Sequence, residues 1–204
     1  MKTSSLIIYW LPLLRLWPLM LLCRLCPQHR FLREERRYWY RHVLGKEAER
    51  DNFADDYRLF CLPEYRSVVY FRMGGLRHFV EWLAPGQRPL RISLTSTEVG
   101  MGFVLQHGHS SRIGARSVGR DVQIWHNVTI GTDRSHSGHL PTIGDRVLVY
   151  TGAIVFGDIT VGDDAVIAAG AVVNKDVPAG AVVAGNPARI VKMRIAAPQP
   201  TFES

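Results

Sequence analysis

A parallel β-helix, preceded by an α-helical N-terminal region, is the fold predicted by three observations in the second half of the chain. Small aliphatic residues recur at every sixth position: Val118, Ile124 and Ile130, then Ile143, Val149, Val155, Val161, Ile167 and Val173. Glycine follows directly at Gly119, Gly131, Gly144 and Gly162, and small residues sit four after the anchor at Val122, Val128, Val147, Ala153, Ala165 and Ala171. A helix requires apolar spacings of three and four, and an ordinary strand requires strict alternation. A hexad satisfies neither. It suits a triangular coil built from three hexads, each a short strand plus a corner, with the branched anchor in the core and a small residue filling the corner.

The elements follow in order. Residues 1–27 are apolar, but Leu6 to Leu22 is interrupted by Pro12, Arg15 and Pro18. A spanning helix needs roughly 20 uninterrupted apolar residues, and no small-residue cleavage site follows to mark a signal peptide. The segment therefore reads as a helix packed on the body or on a neighbouring subunit. The other readings are an interfacial anchor carried by Trp10, Trp17 and the arginines at 24, 30, 33, 36 and 37 and, behind it, a true span or signal. Residues 28–90 read as α-helical: Phe31 to Leu44, Asp55 to Phe60 before Pro63, and Glu64 to Trp82, weakened in its middle by Gly74-Gly75. Pro85-Gly86-Gln87-Arg88-Pro89 is a turn. The β-helix then occupies residues 91–192, with irregular first hexads near Ser93 and Val99. Its segment Ser111 to Ser117 is seven residues long and must absorb one at a corner. The period also breaks for a polar loop, Thr132 to Thr142, that contains His136 and His139. Such an insertion in a strict repeat usually serves a site. Residues 193–204 read as a flexible tail.

The chain has 204 residues, 47% of them hydrophobic, and a net charge of +7, which fits one domain with an appendage. The charge is uneven. Residues 1–90 hold 15 Lys/Arg against 9 Asp/Glu, and residues 91–204 hold 10 against 9. A basic N-terminal part suits an anionic membrane surface or an anionic substrate. It does not suit nucleic acid, because the arginines are scattered among apolar residues and no recognition motif accompanies them. Cys23, Cys26 and Cys61 have no second pair, and read as buried free thiols of a reducing compartment. The expected location is cytoplasmic, with residues 1–37 available for peripheral contact with the inner face of the membrane.

His107 and His126 each stand two residues after an anchor, Leu105 and Ile124. Those anchors are 19 apart, one full coil plus one residue, so the two rings should project from one face about 4.8 Å apart along the axis. The loop with His136 and His139 leaves the next face of the second coil. Such a cluster can supply a general base for a hydroxyl nucleophile or a metal site, or it can be outward histidines at tolerant positions.

The stretch Leu105-Gln106-His107-Gly108, the run from Val118-Gly119-Arg120-Asp121 through Ile124-Trp125-His126-Asn127-Val128-Thr129-Ile130-Gly131, and the ending Asn174-Lys175-Asp176-Val177-Pro178 to Gly185-Asn186-Pro187-Ala188-Arg189 together resemble the hexapeptide-repeat acyltransferases of the serine O-acetyltransferase branch. The resemblance covers about residues 92–192. It implies a left-handed parallel β-helix, a homotrimer or a multiple of three, and acetyl-CoA as co-substrate in the groove between subunits, without a metal. It further implies His107 as catalytic base, with Gln106, His126 and His139 toward the acceptor. Gly152, Ala169, Gly170, Lys175 and Arg189 would face the cofactor.

The departures bear on the acceptor. Gln106 stands where the family has an Asp that helps hold the amino acid, Ile92 falls where it has the Asp that orients the base, and the nearest carboxylate is Glu98. Leu140 occupies the place of the second substrate histidine, with His139 one residue off. An ammonium group wants a carboxylate partner, whereas a neutral amide suits hydroxyls. The sequence reading is therefore an O-acetyltransferase acting on a sugar hydroxyl, resembling the colanic-acid and capsular-polysaccharide acetyltransferases. The alternatives are serine O-acetylation in cysteine biosynthesis, acetylation of another small hydroxylated molecule, a γ-type carbonic anhydrase, and a catalytically silent scaffold.

Overall fold

The computed structural model describes residues 3–26, 29–45, 53–94, 98–132 and 139–194. The tail from 195, and His136 in the inserted loop, lie outside the described residues, as do the side chains of Trp10 and Arg30.

Four helices precede the repeat: α1 (Thr3–Leu25), α2 (His29–Val43), α3 (Phe53–Cys61) and α4 (Pro63–Met73). α1 runs through Pro12 and Pro18 without a break. It buries Leu16, Leu19, Met20 and Cys23 against the other helices and turns Leu14, Trp17, Leu21 and Leu25 outward. Among the described residues no helix is long and apolar enough to cross a membrane. α4 opens on Pro63, whose missing N–H costs nothing in a first turn. It closes at Gly74, where φ is +58° and the backbone leaves the helical region. The single helix expected over Glu64 to Trp82 is thus two elements, since Gly74–Phe79 forms a separate 3₁₀ turn. Cys23 and Cys26 are buried, with burial driving the Cys23 thiol pKa well up, whereas Cys61 is exposed and corrects the expectation of three buried thiols.

The remainder winds as a triangular prism. A first face stacks β2 (Val104–Leu105), β5 (Gln123–Ile124), β8 (Leu148–Val149), β11 (Val166–Ile167) and β13 (Ala181–Ala184). The second stacks β1 (Leu90–Ile92), β3 (Ser111–Ile113), β6 (Thr129–Gly131), β9 (Ile154–Phe156) and β12 (Val172–Val173). The third stacks β4 (Ser117–Val118), β7 (Thr142–Ile143) and β10 (Thr160–Val161). All pairings within these faces are parallel, and anchors pair with anchors: Leu105 with Ile124, Ile124 with Val149, Val149 with Ile167. β14 (Arg189–Met193) returns antiparallel along β13 and closes the first face.

The coil-to-coil register holds the anchors in the core, so one extra residue has to leave at a corner. It does not leave between Ser111 and Ser117. Ile113 and Val118, successive anchors, are only five apart, whereas Leu105 and Ile113 are eight apart. The expansion therefore sits at residues 106–110, around His107. Two non-glycine residues there, His107 and Ser110, take φ near +55°, which costs an ordinary side chain on the order of 1 kcal/mol.

The helical region caps the open first coil. The fully buried Arg72 of α4 donates to Glu35 of α2 at 2.9 and 2.5 Å, to the carbonyl of Val99 at 2.6 Å and to that of Gly100. Trp39 donates from Nε1 to Phe103 O at 3.0 Å. Burial pushes the Glu35 carboxyl up to about 7, against the opposing pull of Arg72.

Candidate active site

The corner between the first and second faces collects the residues that can carry chemistry. Two positions after the first-face anchors stand His107, His126, Thr151 and Ala169, and the coil-to-coil bonds align the last three in one column that His109 continues in the first coil. One position further lie Asn127, Gly152 and Gly170, all with positive φ. The column is threaded by backbone bonds: Gly152 N–H donates to His126 O at 3.1 Å and Gly170 N–H to Thr151 O at 2.9 Å. Beyond the histidines it is lined by small residues, and a Cβ built on Gly170 would meet nothing within 4 Å. It is an exposed strip of small residues leading to the imidazoles.

The expanded corner is held from both sides. Gln106 N–H donates to Ile124 O at 2.8 Å, Ser110 N–H to Pro89 O at 2.6 Å, and Asn127 N–H to His109 O at 3.0 Å. The buried hydroxyl of Ser111 donates to Trp125 O at 3.2 Å and accepts the Val128 N–H at 3.2 Å. With its backbone fixed, the corner presents His107 and His109 to solvent beside His126 of the next coil. The expected projection of His107 and His126 side by side from one face is replaced by a different arrangement. Those two rings meet edge-on, with centroids 6.5 Å apart at 64°. The ring lying flat on His126, at 4.8 Å and 13°, is that of His109, because the two extra corner residues swing His107 off the column and bring His109 onto it. Partial burial, then His109, then His107 lower the His126 pKa. Its Nδ1 is shielded and bonded to no protein group.

Gln106 turns away from this cluster. Its amide donates at 3.3 Å to the carbonyl of His42, at the end of α2, and at 3.4 Å to Gln123 Oε1. Gln123 meets His42 Nδ1 at 3.0 Å, and His42 Nε2 lies 3.2 Å from Asp121 Oδ1. His139 and Lys175 are exposed at another corner, between the second and third faces. Arg189 bonds its own neighbours' carbonyls, Ala188 O at 3.0 Å and Pro187 O at 3.5 Å. Gly152, Ala169 and Gly170 share the His107 corner, and Arg189, paired with Ala184, stands at its far end; His139 and Lys175 are not brought to it within one chain. Ile92 pairs with Ile113 on the second face, and Glu98 flanks Val99 beside the third. His109 and Ser111 are the residues that the sequence reading passed over, although the His-x-His spacing was visible. Among the described residues, no three His, Cys, Asp or Glu side chains converge as metal ligands.

A column of small residues on a parallel hexad coil, ending at exposed imidazoles, defines a hexapeptide-repeat protein with an open-corner site. No family model matches the chain. A serine acetyltransferase of Mycobacterium tuberculosis is 39% identical over 159 residues, covering 71% of this chain and 68% of its own length. A probable serine acetyltransferase 5 of Oryza sativa subsp. japonica is 38% identical over 146 residues, 64% of this chain and 42% of its own. The chain spans between 25% and 48% of the length of the plant serine acetyltransferases it matches. Among solved structures, a serine acetyltransferase of Brucella abortus strain S19 in complex with coenzyme A superposes with a TM-score of 0.61 and 25% identity, covering 86% of this chain and 72% of that one. The chain belongs to the serine acetyltransferase family.

Proposed function

We propose that the chain is an acetyl-CoA-dependent O-acetyltransferase with His107 as general base, and that serine is its acceptor, as in the cysteine biosynthesis that its family serves. The observation that carries this reading is the placement of His107 on an expanded corner at the head of the exposed strip of small residues Thr151, Gly152, Ala169 and Gly170, one wall of the groove proposed between subunits. These residues fit an extended thioester, since small side chains and an unobstructed Gly170 leave the corner open along its length. The acceptor hydroxyl attacks the thioester carbonyl while His107 takes its proton. A backbone N–H at the corner steadies the oxyanion, and the intermediate collapses by expelling the thiolate, which recovers the proton from His107.

His107 and the pair His139 and Lys175 sit on different corners of the prism. A site that uses both needs two chains, which supports a left-handed coil assembled as a trimer with the groove between subunits. The outward stripe Leu14, Trp17, Leu21 and Leu25, with Arg24 exposed beside it, supports a peripheral contact of residues 1–37 with an anionic membrane surface.

A sugar hydroxyl is the second reading, favoured by Gln106 and Ile92 standing in place of carboxylates: neither offers an ammonium group a charged partner. Thiol release from acetyl-CoA, measured against serine, hexoses, nucleotide sugars and lipid-linked oligosaccharides, decides between them. Serine should give the highest kcat/KM. Turnover confined to sugars replaces the acceptor and keeps the mechanism, and no release with any acceptor overturns both.

A further inference from the structure

The corner holds three imidazoles, and proton transfer needs one. His109 is fixed by its backbone at both ends: its N–H donates back to His107 O at 2.5 Å, and its carbonyl accepts the Asn127 N–H at 3.0 Å. Its exposed ring nonetheless lies nearly coplanar with that of His126 in the next coil, 4.8 Å away. A solvated histidine on a tolerant corner has many rotamers, and only packing selects the one parallel to its neighbour. His126 then meets His107 edge-on at 6.5 Å and keeps its shielded Nδ1 without a protein partner. Gln106, the other polar side chain beside the base, is directed to His42 and Gln123. The two stacked rings are thus imidazoles beside the base that, among the described residues, no protein side chain is shown to engage otherwise.

We infer that His109 is a second acceptor-binding residue: its ring and that of His126 form one stacked wall beside His107, whose N–H groups bind the acceptor oxygens neighbouring the hydroxyl to be acetylated. The inference rests on the acetyl-transfer reading of the same corner. A neutral imidazole offers one N–H donor and one acceptor nitrogen. The wall therefore suits the carboxylate of an amino acid or the adjacent hydroxyls of a sugar, the chemistry these two acceptors share. Partial burial and the two neighbouring imidazoles keep His126 toward its neutral form, so the wall does not become a cationic patch beside the base.

Two variants separate binding from packing. His109→Phe keeps a flat ring for the stack and removes the N–H; His109→Gln removes the ring and keeps a donor. In thiol-release kinetics His109→Phe should raise the acceptor KM about tenfold, the scale of one lost hydrogen bond, with kcat and the acetyl-CoA KM within about twofold. His109→Gln should recover part of that loss. Running serine and a hexose in parallel shows which oxygens the wall reads. An acceptor KM unmoved by His109→Phe overturns the inference, because packing alone would be satisfied by phenylalanine. The second readout needs no turnover. In imidazole NMR titrations of the full-length protein, His109→Phe should shift the His126 ring resonances and relieve the part of its pKa depression that comes from His109, leaving the larger part that comes from burial. A His126 titration identical to the wild type means that the stack is absent in solution, and the inference falls. If the wild type releases no thiol with any acceptor, the acetyl-transfer reading fails by itself. Addition of serine or a hexose to the wild type must then still shift the His109 and His126 resonances, or the acceptor wall fails as well.

Discussion

At the corner between the third and first faces, side chains form a ladder. Asp145 Oδ1 accepts the Arg120 N–H at 2.7 Å, Asp163 Oδ1 accepts the Asp145 N–H at 2.9 Å, and Arg146 makes a two-pronged bond to Asp164 at 2.8 and 2.8 Å. At the corner between the first and second faces, the same turn of the same repeat carries His107, His126, Thr151 and Ala169, and its coils are joined by backbone bonds. Both corners solve one steric problem, a backbone bend with positive φ, at Asp121, Arg146 and Asp164 in the first case and at Asn127, Gly152 and Gly170 in the second. What differs is whether the side chains are occupied. The ladder consumes its charges in holding coil to coil, while the imidazole corner keeps donors and acceptors for something else. The contrast separates the edge that maintains the fold from the edge that does chemistry.

The largest effect that tests this contrast is at the base. His107→Asn keeps a residue that tolerates the left-handed backbone and removes the imidazole. Turnover should fall by about 10²–10⁴-fold, the usual contribution of a positioned general base. The exposed position should leave stability within about 0.5 kcal/mol. Near-normal kcat in this variant would strip the corner of its catalytic role, and a large drop in melting temperature would make the corner structural like the ladder.

A smaller effect is expected along the groove. Gly170 has φ of +67° with open space where a Cβ would stand. Gly170→Ala should therefore lose about 1 kcal/mol to backbone strain and raise the acetyl-CoA KM by intruding on the groove. Gly170→Asn separates the two causes, since asparagine accepts the backbone but fills more of the groove. Stability should return while the KM climbs further. If the KM followed stability and not side-chain size, the corner would not be the thioester path.

Much of this was legible in the sequence, for a physical reason. The hexad anchors are dictated by core packing, so Ile124, Val149, Val155 and Ile167 announce their faces by type and spacing, and all four are fully buried. His107 stood out by its place two residues after the anchor Leu105 and by the family resemblance of Leu105-Gln106-His107-Gly108. The corner expansion was misplaced, because a count of residues between anchors shows that one is extra without showing where the chain bulges. Register with the next coil decides that, through Ile113 pairing Ile130. The direction of Gln106 was likewise invisible, since it depends on His42, 64 residues earlier, arriving at the end of α2. Contacts between the helical cap and the coil leave no periodic trace in the chain.

The smallest effect concerns acid, where the two corners should fail in different pH ranges. Asp164 is held below the usual carboxyl pKa of 3.8, first by its bond from Arg146 and then by that charge, against partial burial. A depressed carboxylate contributes stability that is complete above the unfolded pKa and is lost as pH falls through the folded one. The ladder should therefore yield only below about pH 4. His126 is also depressed, from 6.5. The unfolded chain takes up that proton before the folded chain does, so stability declines as pH falls from about 6.5 through the lowered value. Glu35, raised from 4.5 to about 7, acts with the opposite sign, losing stability as pH rises across that span. The His126 contribution must therefore be read as the difference between wild type and His126→Asn in denaturant titrations from pH 3 to 8. That difference should be level above about pH 6.5, shift against the wild type as pH falls, and level off again below the lowered pKa. Arg146→Ala should cost about 1 kcal/mol near neutrality, the upper end for pairs that solvent still screens, and should flatten the loss below pH 4 while leaving kcat untouched. Were Arg146→Ala to reduce turnover as His107→Asn does, the division between an occupied corner and an open one would not describe this protein.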